Sequence, residues 1–389
     1  MASDLREIEI NDCLSSTSIY DYADCDIQIV KDIEYEKFYE DFLYKNLPCV
    51  IRNTSSHWEC STKWMKSDSI DCDYFMNNFS QLEAPVADCD KIVYNAQTKQ
   101  ILTVIDFMKY LESEERDTLL YLKDWHLKKL RPNDNFYEVP SIFGSDWLNE
   151  YAQDHNEDDF MFVYIGPKDS WTPLHVDVYN SFSWSVNVIG RKKWTLFPPG
   201  EEEKFKDPLG NLPLLFEYDK YKNVRYFEII QEKGDAIFVP SGWHHQVTNE
   251  LDTISINHNW VNACNIEEVW KALEKSLKSV EHEIEEFKDT PEFVDQCQLI
   301  LKSMFGMDFE HCINFILYIA KKRLGQLYGE NPILFNKYTL GKNHVLFDLK
   351  KLQKVIDLFD NHPLIVNNCL KINYRYDYFN IKELITKLV

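Results

Sequence analysis

The 389-residue sequence has no apolar run close to the roughly 18 residues that a membrane-spanning helix requires. Its ten cysteines form no C-x-x-C pair and lack the regular spacing of zinc clusters and disulfide scaffolds. The opening segment MASDLREIEINDCLSS lacks the basic stretch and apolar core of a secretory signal. These absences argue against a membrane protein or an exported one. They predict reduced thiols in the cytoplasm, or in the nucleus.

The sequence also has fewer basic than acidic residues. The 42 Lys and Arg residues stand against 64 Asp and Glu, which gives a formal net charge of −22. Such a field repels phosphate backbones and attracts basic partners, so nucleic acid is a poor ligand and a basic protein is favoured. Acidity alone also keeps a protein soluble. The length and the 44% of hydrophobic residues predict a folded chain of two or three domain-sized units.

The order of periodic patterns predicts an α+β protein with a mainly β core. Helical periodicity over 34–46 precedes the short apolar run LPCVIRN, and a helical pattern over 103–115 precedes a strand over 118–125. Residues 127–144 contain two prolines and several turn formers, which predicts a connecting loop. Between Phe160 and Trp260, short strands follow one another with Gly, Pro, Asn or Asp at the joints, as in a sandwich or barrel.

Helical patterns return after Asn265, over 266–287, 292–325 and 347–360. A helical C-terminal region is therefore expected to pack on or beside the β core. The chain divides accordingly into an N-terminal helix and strand region that supports the barrel, a β-rich catalytic core and a helical region, with the bounds 1–117, 118–262 and 263–389.

A His-Val-Asp triplet at 175–177 is the first candidate for chemistry. The strand pattern over 181–188 that follows puts Trp184 and other apolar residues on one face, and Ser183 and Ser185 with other polar residues on the opposite face. The triplet shares the parity of the polar face, unless the turn near residues 179 and 180 breaks the register. A lone H-x-D arises by chance in a chain of this size, and a polar strand face usually contacts solvent.

A second element, KGDAIFVPSGWHHQVTN, brings the adjacent residues His244 and His245 into a strand, where they point to opposite faces. At most one of them joins the pair, and either alone is more often a hydrogen-bonded core histidine. Two imidazoles and one carboxylate form the ligand set of non-haem Fe(II) oxygenases, which leaves three metal positions open. A dianion such as 2-oxoglutarate and dioxygen can fill those positions, and GRKKW offers a cation for the distal carboxylate.

The segments HVD, GRKKWTLFPP, GDAIFVPSGWHH and INHNW, in this order, resemble the JmjC (jumonji-C) class of Fe(II)- and 2-oxoglutarate-dependent oxygenases, over 119–260. The resemblance implies a double-stranded β-helix, which is a cupin-like jelly roll. The segments APVADCD, YLKDWH and SWTPLHVDVYNSFSWSVNVIGRKKW are most similar to a small cytosolic lysyl hydroxylase of a translation termination factor. That likeness extends over most of the chain.

Carried onto this sequence, the resemblance implies that His175, Asp177 and His245 are the catalytic metal ligands. His245 is preferred to His244 because the ligand of the related hydroxylases stands five residues after the proline of this turn, here Pro240. The implied metal is Fe(II).

The resemblance also implies the residues that contact the cosubstrate. Lys192 would hold a 2-oxoglutarate carboxylate, and Thr172 and Tyr121 match positions that hydrogen-bond the cosubstrate. Asn257 stands where relatives carry Thr or Asn, and Ser185 replaces an asparagine found in many relatives. The detailed contacts are therefore expected to differ from those of the relatives.

The implied reaction uses Fe(II), 2-oxoglutarate and dioxygen to hydroxylate a basic protein, namely a translation termination factor, with neither nucleic acid nor membrane as partner. The C-terminal helices are candidates to cover the barrel or to form a homodimer. The metal motif does not separate lysyl hydroxylation from demethylation of N-methyl groups. Two further alternatives stay open: a binding scaffold that has lost turnover, and a cupin-like barrel that holds zinc or manganese for isomerase chemistry.

Overall fold

The computed structural model describes residues 5–11, 22, 25–208 and 210–388. Its strands are β1 (Arg6–Ile8), β2 (Gln28–Val30), β3 (Cys49–Ile51), β4 (Met65–Lys66), β5 (Ser69–Ile70), β6 (Glu83–Val93), β7 (Ala96–Thr103), β8 (Leu120–Trp125), β9 (Met161–Gly166), β10 (Trp171–His175), β11 (Phe182–Ile189), β12 (Lys192–Phe197), β13 (Phe227–Gln231), β14 (Ala236–Val239), β15 (His244–Asn249), β16 (Thr253–Trp260) and β17 (Tyr338–Leu340).

The α-helices are α1 (Tyr35–Phe38), α2 (Cys60–Lys63), α3 (Cys72–Phe79), α4 (Val104–Glu112), α5 (Leu127–Leu130), α6 (Trp147–His155), α7 (Ile266–Glu283), α8 (Phe293–Phe305), α9 (Phe309–Leu327), α10 (Lys342–Asp360), α11 (Pro363–Val366) and α12 (Tyr378–Leu388). Helix α1 continues into a π-helical turn over Tyr39–Leu43, and 3-10 turns occupy Ser141–Phe143, Val178–Asn180, Glu201–Lys204 and Glu285–Phe287.

The eight strands from β9 to β16 form two facing antiparallel sheets. One sheet has the order β10-β15-β12-β13, and the other contains β14-β11-β16-β9 within a nine-stranded sheet. The chain crosses repeatedly between the two sheets, which is the topology of a double-stranded β-helix. The predicted fold class, an α+β protein with a cupin-like jelly roll as its core, is confirmed.

The alternation predicted along β11 is also confirmed, but its polar face does not contact solvent. Trp184 and Val186 pack in the hydrophobic core, whereas Ser185 and Asn187 point the other way and are equally buried. The second sheet closes over these polar residues. The expectation that such a face contacts water is therefore wrong for this strand, because the polar face of β11 is buried inside the barrel.

The N-terminal region extends the larger sheet at both edges. The predicted helix over 34–46 is α1 with its π-helical turn, the run LPCVIRN contains β3, and the predicted helix over 103–115 is α4. The predicted strand over 118–125 is β8, and the expected loop over 127–144 contains α5 and one 3-10 turn. The long hairpin of β6 and β7 was not predicted from the sequence; it adds two strands beyond β8.

The C-terminal region is helical as predicted, and α7 to α10 cover the three predicted segments. One hydrophobic core runs from Ile8 through the barrel to Ile385. A buried ion cluster reinforces this packing: Arg323 on α9 donates to Glu150 on α6 at 2.9 Å and to Asp348 on α10 at 2.7 Å. Within the described ranges, no helix is both long and apolar enough to cross a bilayer.

The nine described cysteines are all unpaired thiols, in agreement with the prediction for them. Cys13, which falls under the same prediction, lies outside the described residues, as does most of the opening segment in which no secretory signal was expected.

Candidate metal centre and cosubstrate pocket

Three predicted ligands converge where strands β10 and β15 pair. His175 is the last residue of β10 and lies directly opposite His245 on the neighbouring strand β15, with ring centres 4.3 Å apart. Asp177 follows two residues after His175. One ligand atom from each of these three residues lies within 4.8 Å of the others. The adjacent His244 takes the other face of β15, where its Nδ1 atom is 3.8 Å from Glu202.

Two strands of the larger sheet fix the Asp177 carboxylate. Its Oδ2 atom accepts a hydrogen bond from Ser183 Oγ at 2.6 Å, and its Oδ1 atom accepts one from Asn259 Nδ2 at 2.9 Å. Ser183 belongs to the polar face of β11, and Asn259 lies on β16. Each carboxylate oxygen keeps a further lone pair, so the bonds orient the group without using up its capacity to bind a cation.

Backbone carbonyls select the histidine tautomer. His175 Nδ1 lies 2.8 Å from the carbonyl oxygen of Pro173, and His245 Nδ1 lies 3.1 Å from that of Trp243. Each Nδ1–H donates to its carbonyl, which leaves both Nε2 lone pairs for a metal. Burial, and then the neighbouring His245, lower the pKa of His175 to about 4. The ring is therefore neutral at pH 7, which is the form that ligates.

A one-residue bulge brings Thr172 to the same side of β10 as His175. Thr172 pairs with Val247 and His175 pairs with His245, so three residues on β10 span two on β15. Without this shift in register, residues three apart would point to opposite faces. Thr172 is half-buried and lies on the side of β10 that carries His175.

The middle residue of the basic triplet turns inward. Arg191 pairs with Glu232 and Lys193 pairs with Glu228, both partly exposed, whereas Lys192 is 2% exposed. Lys192 Nζ donates to Ser255 Oγ at 2.7 Å and to Tyr121 Oη at 3.2 Å.

Among the described residues, Lys192 has no carboxylate partner within ion-pair distance. Burial, followed by repulsion from Lys123, lowers the pKa of Lys192 to about 7. A buried ammonium group without a counter-ion is costly, and an anionic carboxylate placed beside it relieves that cost. The chemistry of the site therefore fits a dicarboxylate cosubstrate.

Tyr121 accepts a hydrogen bond from Lys192 directly, whereas Asn257 is connected to Lys192 through Ser255. Tyr121 is fully buried, and a Cβ atom on Gly166 would lie 2.5 Å from its ring, so the close approach of β8 to β9 requires glycine there. Asn257 Nδ2 donates to Ser255 Oγ at 3.2 Å and thus reaches Lys192 only through that hydroxyl. Ser185 Oγ is buried and has no hydrogen-bond partner among the described residues, which leaves one more polar atom for a ligand.

The sequence predictions did not include Lys123 or the residues that hold Asp177. Lys123 is buried two residues after Tyr121, donates to Gln97 Oε1 at 2.8 Å, and has a pKa that burial lowers to about 8. The available signal was strand parity, since Lys123 shares the face of Tyr121. The same parity rule along β16 would have selected Asn259 together with Asn257.

Comparisons with known proteins agree with this geometry. The profile of the family described as Cupin-like domain matches residues 35–266. The chain is 38% identical, over an alignment of 420 positions, to the 2-oxoglutarate and iron-dependent oxygenase JMJD4 homolog of Drosophila melanogaster, covering 96% of this chain and 98% of that protein. It is 40% identical over 349 residues to the 2-oxoglutarate and iron-dependent oxygenase JMJD4 of Homo sapiens, covering 85% and 83%.

The chain belongs to the cupin-like JmjC family of 2-oxoglutarate and iron-dependent oxygenases. It is also 35% identical over 359 residues to the Arginine-specific demethylase JMJ20 of Arabidopsis thaliana, covering 84% of this chain and 77% of that protein. The family resemblance inferred from the sequence is confirmed, as is the dependence on iron and 2-oxoglutarate. In this JmjC oxygenase, His175, Asp177 and His245 would hold the iron, and Lys192 would hold a carboxylate of 2-oxoglutarate.

Proposed function

We propose that this oxygenase hydroxylates a carbon of a lysine side chain in a basic segment of a translation termination factor. The observation that carries the proposal is the enclosure of the His175, Asp177 and His245 group with the inward Lys192 in one barrel. The target is supported by the likeness of APVADCD, YLKDWH and the segment around His175 to a lysyl hydroxylase of such a factor.

The surface next to the metal ligands suits a side chain with a long apolar stem. Val176 and Val178 flank Asp177 in the chain, and both are exposed. A lysine stem can lie against these methyl groups while the net charge of −22 favours the approach of a basic segment. The contribution of the chain is to bind, orient and shield the reacting carbon.

Iron held by His175, Asp177 and His245 would supply the activation of dioxygen, and the overall reaction converts 2-oxoglutarate to succinate and carbon dioxide while one oxygen atom enters a C–H bond of the substrate. The dioxygen molecule is thus divided between succinate and the new hydroxyl group. Dioxygen takes up four electrons, two from the oxidative decarboxylation of 2-oxoglutarate and two from the substrate C–H bond.

Arginine demethylation is the second candidate function. It is favoured by the 35% identity to the Arabidopsis protein named as an arginine-specific demethylase. The same chemistry on an N-methyl group gives a hydroxymethyl group, which leaves as formaldehyde. The two functions therefore share the metal site and differ in the substrate that the barrel opening accepts.

The test is mass spectrometry of both substrate types after incubation with the full-length protein, Fe(II) and 2-oxoglutarate in air. We expect one added oxygen on a lysine of the termination factor and no loss of methyl groups from N-methylarginine peptides. The His175→Ala variant should abolish the modification, whereas Arg191→Ala, adjacent to Lys192 but paired outside with Glu232, should retain it. Demethylation without lysine oxidation would support the second candidate instead, and no succinate formation at all would support a scaffold.

We also propose the cytoplasm as the compartment of this enzyme, because a translation termination factor acts there and unpaired thiols suit a reducing environment. Imaging of the tagged full chain tests this proposal. Accumulation in the nucleus alone would contradict it.

A further inference from the structure

The turn between the metal ligand Asp177 and strand β11 has an unusual backbone. Tyr179 and Asn180 have φ angles of 57° and 56°, so two successive residues other than glycine adopt the left-handed conformation. The backbone N–H of Asn180 donates to the carbonyl of Asp177 at 3.0 Å, which links the turn directly to the ligand residue. This conformation is unfavourable for a bulky side chain, and surrounding contacts can stabilise it.

The C-terminal helices provide those contacts. The Tyr179 ring lies between Phe160 and Phe305, the last residue of α8, with ring centres 5.7 Å away in each case. The edge of the ring rests on Gly306, where an added Cβ atom would lie 2.7 Å from Tyr179 Cε1. Asn180 Nδ2 donates to the backbone carbonyl of Glu268 on α7 at 3.4 Å. Two helices outside the barrel thus hold both left-handed residues.

We propose that Tyr179, seated on Gly306, is a positioning residue for Asp177, and that the C-terminal helical region thereby sets the affinity of the iron site. The Asp177 carboxylate is oriented by Ser183 and Asn259, but its main chain is fixed by the turn that Tyr179 anchors. Movement of the Tyr179 seat shifts the Asp177 backbone while the two histidines stay on their strands. The inference concerns the metal centre and holds whichever side chain the enzyme oxidises.

The first experiment uses the substitution Gly306→Ala, which places a methyl group against the Tyr179 ring. Gly306 has a φ of 95°, so alanine also adds backbone strain. Gly329 is the matched control: its φ is 101°, it follows α9, and no atom of the part of the chain that the structure describes lies within 4 Å of an added Cβ atom. Gly329→Ala therefore adds the same kind of strain without touching Tyr179.

The measurement is the affinity of the purified full chain for Mn(II) and Co(II), determined by calorimetric titration without substrate. We expect Gly306→Ala to bind these ions about tenfold more weakly or worse than the parent protein, as changes around metal ligands usually do. The metal affinity of Gly329→Ala should stay within about twofold of that of the parent protein. Such a difference is smaller than the effect expected when the support of a metal ligand is disturbed. Equal affinities for the two variants would overturn the proposal.

A second pair of substitutions decides the matter if Gly306→Ala does not fold. Tyr179→Asn removes the ring but suits the left-handed backbone, so the fold should tolerate it while metal affinity drops. Tyr179→Phe keeps the ring and should restore the affinity of the parent protein. A folded Tyr179→Asn protein with the affinity of the parent would overturn the proposal, as would a loss of affinity in Tyr179→Phe as large as in Tyr179→Asn.

Discussion

His175 and His245 face each other directly across the antiparallel pair β10 and β15, with their ring centres 4.3 Å apart. Each ring donates its Nδ1–H to a backbone carbonyl. Burial, and then the neighbouring His245, lower the pKa of His175 to about 4, so the His175 ring is neutral at pH 7. The two hydrogen bonds leave the Nε2 lone pair of each ring for a metal ion.

Removal of one ring from this pair should abolish metal-dependent turnover. For His175→Ala we expect a loss of at least about 100-fold in succinate formation from 2-oxoglutarate, because a two-ligand site holds iron poorly. His244→Ala is the matched control, since His244 lies on the opposite face of the strand that carries His245. The measurement is succinate produced per enzyme with Fe(II) in excess. Similar losses of succinate formation in both variants would show that turnover does not depend on which face of the strand the histidine occupies.

Strand alternation predicted the opposed faces of Trp184 and Ser185, whereas the metal ligands and Lys192 came from the family resemblance. The cost of leaving a cosubstrate carboxylate unpaired predicted only that one basic residue of GRKKW turns inward. Alternation did not reveal that Ser185 is enclosed, because enclosure depends on a second sheet formed by distant segments. It also missed the bulge that carries Thr172 to the side of His175, since one extra residue in a strand leaves no regular trace in composition.

Other features lay beyond any local pattern. The hairpin of β6 and β7 escaped prediction because exposed charged residues such as Asp90 and Lys91 dilute its apolar alternation. The seat of Tyr179 on Gly306 joins residues that are far apart in the sequence. Neither residue carries a signal of the contact before the chain is folded.

Lys192→Met should weaken 2-oxoglutarate binding by about 10- to 100-fold, because a hydrogen bond to a charged group contributes about 1.5–3 kcal/mol. Lys193→Met is the control: Lys193 is the next residue, but it points outward to Glu228. Calorimetric titration of each Mn(II)-loaded protein with 2-oxoglutarate measures the effect. An unchanged affinity of Lys192→Met for 2-oxoglutarate would show that Lys192 does not bind the cosubstrate.

The stability of the protein without ligands should rise with pH above about 7. Burial, and then Lys123, lower the pKa of Lys192 to about 7 in the folded state, whereas an unfolded lysine has a pKa of about 10.4. Between these values the unfolded chain binds more protons, so alkalinity favours folding, and below about 7 the full cost of the buried charge persists. The melting temperature of the parent protein should therefore increase more between pH 7 and about 9 than that of Lys192→Met. If the melting temperatures of the two proteins changed equally with pH, the lowered pKa of Lys192 would be contradicted.

The buried cluster around Arg323 should contribute to stability without affecting the metal site. Arg323→Met would leave Glu150 and Asp348 without their main cationic partner, at a cost of about 3–5 kcal/mol in the free energy of unfolding. Lys322→Met is the control, because Lys322 is partly exposed and its loss should cost about 1 kcal/mol or less. Denaturant unfolding of the two variants measures the difference, and comparable losses would refute the special role of the buried arginine.

Gly166→Ala should weaken cosubstrate binding while leaving metal binding intact. The added Cβ atom would lie 2.5 Å from the Tyr121 ring, and displacement of that ring removes the hydroxyl to which Lys192 donates. We expect 2-oxoglutarate affinity to fall about tenfold, the effect of losing one well-placed hydrogen bond. Mn(II) affinity should not change, because the metal ligands lie on or beside β10 and β15. In the control Gly325→Ala, the three atoms nearest to the new methyl group all belong to the flexible side chain of Glu330, at the C-terminal end of α9, so neither affinity should change. If Gly166→Ala lost affinity for both 2-oxoglutarate and Mn(II), the cosubstrate site and the metal site would depend on each other, which would contradict this prediction.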